Sequence, residues 1–262
     1  MTRAPAVFVA HGAPTIALEQ DGFTETLRRF GREHPRPLAI AVISAHWQAP
    51  VPVRVTAAER PPLLFDFGGF PDALYALNYP CPGDPVLARE IAALLHAEGL
   101  EAALDPKRGF DHGVWVPLRF MYPRADLPVV QVSLPLGAMP KDLLRLGMAL
   151  APLRDRGVLL LGTGGVVHNL RRVRMDDKDA PVDPWASEFD AWVRDRLQRR
   201  DVEGLMAYRT DAPQAVLAVP ESEHIDPLFV VLGAASSEDR VVPLYEGFHH
   251  GNLSLRSVAL EP

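Results

Sequence analysis

Short runs of apolar and β-branched residues recur along the chain at 6–10, 38–43, 51–55, 128–134, 158–162 and 241–244, and most are continuously apolar rather than alternating. A continuous run of that length suits a strand buried on both faces. Between the runs lie segments with helical spacing. Over 84–99, Asp84 can cap, Pro85 suits the first turn and Gly99 can end the helix, while Leu87, Ile91, Leu94 and Leu95 form one apolar stripe. Further helices are predicted over 184–199, with Phe189, Trp192, Val193 and Leu197 on one side, and over 140–153, with Leu143, Leu144 and Leu150. Strands alternating with helices predict an α/β fold, a mainly parallel central sheet flanked by helices. No repeat, low-complexity tract or linker divides the chain, so residues 1–262 are expected to form a single domain large enough to bury a core without staples.

Composition narrows the function classes. The formal net charge is −6 and the only dense basic run is Arg171–Arg174, which does not make a nucleic-acid surface. Apolar runs such as 158–161 are too short to cross a bilayer, and the N-terminus lacks the apolar region and cleavage site of a signal peptide. A cytoplasmic protein with no nucleic-acid or membrane partner is expected. The single cysteine, Cys81, excludes an intrachain disulfide and a cysteine-based zinc site, and its place between two prolines suits a rigid turn. Any metal must therefore be held by histidine and carboxylate.

Two of the strand runs lead straight into histidine: "VFVAHG" into His11 and "VISAHW" into His46. In open α/β sheets ligands collect outside the carboxyl ends of the strands, so both imidazoles can reach one crevice if their strands are neighbours. His168, in "GTGGVVHNL", follows a third strand by a glycine-rich turn and would arrive at the same edge. His112 sits between Gly109 and Gly113 in a loop that enters an apolar segment, and His224 follows Glu221 and Glu223 at the start of an apolar helical run. Carboxylates there favour the positive end of a helix dipole, but a Glu beside a His also suits a metal ligand and its orienting partner. Imidazoles and carboxylates bind Zn(II) or Fe(II) well. His34 and His96 carry no assigned role, and His249 and His250 read as a solvated turn before a last strand, with a pocket rim as the other reading. "GTGG" at 162–165 lacks the spacing and the lysine of a phosphate loop, and Ser44 lacks a nucleophile elbow.

The motifs "VAHGAP", "SAHW", "DFGGFP", "LNYPCPGDP", "GFDHGVWVPL", "GTGGVVHNL" and "EHIDPLFVVLGAA", in that order, resemble the class III extradiol ring-cleavage dioxygenases, and within them the 4,5-DOPA dioxygenase extradiol-like branch. The resemblance runs from about residue 6 to near the C-terminus. It implies a single α/β domain with one divalent metal ion at the carboxyl edge of the strands. Carried over motif by motif, His11, His46 and His224 resemble the metal ligands. His168 matches the acid/base residue and is a candidate fourth ligand, and His112 matches a histidine that positions substrate or dioxygen. Better-studied members of the superfamily use two His and one Glu, so Glu223 competes with His224 for the third ligand position.

The activity implied is Fe(II)-dependent ring opening of a catechol, DOPA-like or otherwise substituted, with O₂, by a monomer or small homo-oligomer. Zn(II), bound by the same ligands in purified protein, would not support it. The alternatives are a zinc hydrolase in which His168 or Glu223 activates metal-bound water, and a non-catalytic metal-binding protein. Phe65, Phe67, Phe70 and Tyr79 can sandwich an aromatic ring or pack their loops, and Asp66 can receive a substrate ammonium or cap a turn.

Overall fold

The computed structural model describes residues 3–262. Its strands are β1 (Ala6–Ala10), β2 (Ala39–Ala49), β3 (Val53–Thr56), β4 (Ala102–Asp105), β5 (Val129–Pro135), β6 (Val158–Gly164), β7 (Arg240–Tyr245), β8 (Phe248–His249), β9 (Leu253–Ser254) and β10 (Ser257–Glu261). Eight of them form one sheet in the order β4-β3-β5-β2-β6-β1-β10-β7, and β8 and β9 form a small ribbon. The four central strands, β5, β2, β6 and β1, are parallel, while β3 and β10 run antiparallel to their inner neighbours. The mainly parallel sheet is therefore present, with antiparallel strands added at both edges. All four central strands end at one edge, and that edge carries the site.

Both faces of the sheet are covered, which is why the central strands read as continuous apolar runs. Along β2, Ala41 and Ile43 enter one core with Leu160, Leu146 and Phe229, beneath the helices Pro85–Ala97, Pro140–Leu150, Pro184–Arg199 and Asp226–Gly233. Ile40 and Val42 enter the other with Leu161, Phe23, Leu27 and Trp115, beneath Gly22–Glu33 and His112–Met121. Each fully buried aliphatic or aromatic side chain of this kind stabilises the fold by about 1.5–3 kcal/mol relative to exposure.

Several elements differ from expectation for local reasons. The predicted 38–43 strand continues to Ala49 as β2. The 140–153 helix stops at Leu150, and Pro152, which has no N–H to donate, starts a separate turn, Pro152–Asp155. Gly22–Glu33 was not anticipated, although Asp21 and Thr24 cap each other at its start through bonds of 2.9 and 3.0 Å. The expected loop at His112 is the first turn of the His112–Met121 helix, disguised by Gly113 and Pro117. No helix of the described residues is long and apolar enough to cross a membrane.

Candidate metal centre

Three segments bring histidines to the carboxyl edge. His11 extends the β1 ladder by donating its backbone N–H to the Gly164 carbonyl at 3.0 Å, and Gly12, at φ +55°, turns the chain away immediately afterwards. His46 does not follow the end of its strand. It lies inside β2, where the register slips between Ile43 and Gln48. That slip is held from behind by Asp111, a fully buried carboxylate that accepts from the Ser44 hydroxyl at 2.7 Å, from the Gln131 amide and from Arg108 at 3.2 Å. Arg108 also donates to the His46 carbonyl at 3.2 Å and lies over the Trp47 ring at 4.8 Å.

His224 sits on the turn before the Asp226–Gly233 helix, and its carbonyl accepts from the Gly165 N–H at 2.8 Å. A Cβ on Gly164 would lie 2.0 Å from that same carbonyl oxygen. The "GTGG" glycines thus let the His224 turn press onto the end of β6, a packing role and not a phosphate cradle.

The side chains converge. His11 Nε2 and His46 Nε2 are 3.0 Å apart, and one ligand atom from each of His11, His46 and His224 falls within 4.8 Å of the others. His11 Nδ1 and His224 Nε2 are buried without a hydrogen-bond partner, a costly state that a cation taken by either nitrogen would relieve at that atom. Glu223 Oε1 lies 3.0 Å from His224 Nδ1 and orients the imidazole. Burial, followed by repulsion from neighbouring imidazoles, holds the pKa values of His11 and His224 well below the ordinary histidine value and His46 down to about 4. Neutral imidazoles are the form that ligates metal. These residues fit a divalent metal ion.

A second group, His46, Asp66 and His112, shares His46 with the first. Its atoms are already paired. Asp66 Oδ1 accepts from the His112 backbone at 3.0 Å and lies 2.9 Å from His112 Nδ1, and its other oxygen is 3.4 Å from His46 Nδ1. Burial pushes the Asp66 carboxyl up, but the hydrogen bonds from His112 and the adjacent imidazoles outweigh it and hold the group at about 2. The residue is therefore engaged by the site through Oδ1. His168 stacks in parallel on His224, with ring centroids 3.5 Å apart and planes 8° apart, and stands outside both groups. Burial and then His224 hold its pKa well below the ordinary value.

The remaining candidates are placed elsewhere. His249 and His250 are not solvated: both are buried, the first 3.3 Å from Asp21 and the second 3.1 Å from the Arg174 carbonyl. His34 lies against Glu261 at 2.9 Å and stacks on Phe30. Cys81 is buried, its thiol pushed up to about 12 by desolvation. Tyr79 is part of the core, its hydroxyl donating to the Tyr122 carbonyl at 3.0 Å. Phe67, by contrast, meets His112 edge-on at 5.5 Å.

Residues 2–253 match the family of the catalytic LigB subunit of aromatic ring-opening dioxygenase. The chain belongs to the LigB family. This LigB-family chain is 41% identical over 263 residues to the 4,5-DOPA dioxygenase extradiol of Escherichia coli K12, covering 99% of this chain and 95% of that protein. It is 37% identical over 260 residues to the enzyme of the same name from Portulaca grandiflora, covering 95% and 93%. The crystal structure of uncharacterized protein JW3007 from Escherichia coli K12 superposes with a TM-score of 0.82 at 36% identity, over 98% of this chain and 100% of that one. The LigB chain is an enzyme of the extradiol ring-cleavage class.

Proposed function

We propose that this dioxygenase opens the ring of a substituted, DOPA-like catechol with O₂, using one Fe(II) held by His11, His46 and His224. The observation that carries the ligand set is the convergence of the three imidazoles with two buried nitrogens left unpartnered. Bound Fe(II) would supply the one-electron chemistry that lets a catecholate react with O₂, which Zn(II) in the same ligands lacks. Glu223 is read as orienting His224 through Oε1 and not as the third ligand, because it falls outside the group in which the three imidazoles converge.

The proton work falls to the other two histidines. His168, stacked on His224 and neutral near pH 7, accepts a proton from a catechol hydroxyl and returns it when the ring opens. His112, fixed by Asp66, presents its other nitrogen to substrate beside the Phe67 ring. A zinc hydrolase on the same ligands is disfavoured by the chain's membership of the ring-opening dioxygenase family.

The deciding experiment is anaerobic reconstitution of metal-stripped protein with Fe(II) or with Zn(II), followed by oxygen uptake and visible absorbance over a panel of catechols. Stoichiometric uptake with a yellow product in the iron sample alone is expected. No uptake from verified iron-loaded protein across the panel would overturn the reading, and hydrolysis of esters or amides by the zinc form would replace it.

A further inference from the structure

Asp66 lies on the segment between β3 and the Pro85–Ala97 helix, a stretch built of aromatic residues around two exposed glycines, Gly68 and Gly69. Phe65 packs edge-on to Trp115 with centroids 5.7 Å apart, Phe67 packs on Tyr75 at 5.4 Å and on His112 at 5.5 Å, and the Trp115 indole donates to the Leu64 carbonyl at 3.2 Å. Among these contacts Asp66 makes the only charged one. Its carboxylate reaches two histidines carried by different elements: His46 in β2 and His112 at the start of the His112–Met121 helix.

We infer that Asp66 is a positioning residue that latches the aromatic segment over the site and, through the same carboxylate, sets the tautomer of both His46 and His112. The inference rests on the reading of His46 as a metal ligand. An ionised carboxylate can only accept hydrogen bonds, so the nitrogen that faces it must carry the proton. Asp66 Oδ1 is hydrogen-bonded to His112 Nδ1 at 2.9 Å, and its other oxygen stands 3.4 Å from His46 Nδ1, an ion-pair contact outside hydrogen-bond geometry in which the negative charge still favours an N–H over a lone pair. In a neutral imidazole this leaves the lone pair on Nε2. For His46 that nitrogen is the one 3.0 Å from His11 Nε2, inside the ligand group. For His112 it is the nitrogen free to accept from a substrate hydroxyl.

The docked segment and the ligand-competent tautomer are thus one state. Whatever holds the segment down raises metal affinity, and bound metal holds the segment down to the same degree, because coupling between two equilibria is reciprocal.

The test begins with the unaltered protein. Nitrogen-labelled histidine NMR should show His46 and His112 protonated on Nδ1 in both the metal-free and the zinc-loaded forms, and chymotrypsin should cut at Phe65, Phe67 or Phe70 more slowly once zinc is bound. Asp66→Asn is the sharpest variant, because its amide N–H would point at His46 Nδ1 and draw the lone pair to the wrong nitrogen. Zinc affinity, read by chelator competition, should fall about 10- to 100-fold in Asp66→Asn, the usual range for losing such an orienting partner, and recover in part in Asp66→Glu. Zinc should no longer protect the segment in Asp66→Asn.

An Nε2-protonated His46 or His112 in the unaltered protein, or unchanged zinc affinity in an Asp66→Asn protein with native circular dichroism, would overturn the inference. Failure of the unaltered protein to bind zinc or iron at all would instead sink the ligand assignment, while the tautomers of the metal-free protein still decide the role of Asp66.

Discussion

The sheet buries polar groups at both of its edges, and it treats them in opposite ways. Where β1 and β6 begin, Arg154 is fully buried and every part of its guanidinium is used: it donates to the carbonyls of Ala4, Ala234 and Leu260 at 2.8, 2.7 and 3.1 Å and pairs with the equally buried Asp239. Where the same strands end, His11 and His224 are just as deeply buried yet each keeps a nitrogen without a partner. A buried polar group that is fully paired fixes the scaffold, whereas one left unpaired disfavours the empty state and favours a ligand. The unpaired nitrogens lie where the imidazoles converge.

That contrast predicts how each edge fails. Replacing His46 or His224 with alanine should abolish oxygen uptake by the iron-reconstituted protein and leave the melting temperature of the metal-free form close to that of the unaltered one. A large loss of metal-free stability would mean that the imidazoles are scaffold after all. His168→Ala should lower kcat by about 10²- to 10⁴-fold, the usual contribution of general acid–base help, with zinc stoichiometry unchanged. Loss of bound zinc in that variant would move His168 into the ligand set.

At the other edge, Arg154→Met leaves Asp239 buried without its cation and should cost roughly 3–5 kcal/mol in denaturant unfolding, as breaking buried pairs does, with no change in zinc stoichiometry per folded molecule. The smallest effect is a pH dependence. Burial pushes the Asp239 carboxyl up, but hydrogen bonds from Arg154 and Ser236 outweigh it, so its folded pKa lies below the ordinary carboxylate value. Stability from this group is therefore fully present above about pH 4, the unfolded carboxylate value, and is lost as pH falls through the lower folded value. The gap in melting temperature between the unaltered protein and Asp239→Asn should be constant near neutrality and close in strong acid. A gap that widens on acidification would contradict the pairing.

The amino-acid sequence by itself determined the class of fold and named histidines that come together. Continuous apolar runs alternating with striped helices require a sheet covered on both faces, and the "AHG", "SAHW", "VVHN" and "EHID" motifs name four histidines that converge. Both signals are local, set by neighbours along the chain. What each histidine does there depends on atoms far away in sequence. The bulge that turns His46 inward is held by Asp111, the His224 turn is seated by the absent Cβ of Gly164, and Asp66 is claimed by His112. Burial of His249 and His250 and the packing of Tyr79 into the core are likewise invisible to spacing. Only tertiary structure decided these points, because the partner of a buried nitrogen, and hence its proton, is fixed by long-range packing and not by the residue type that the sequence records.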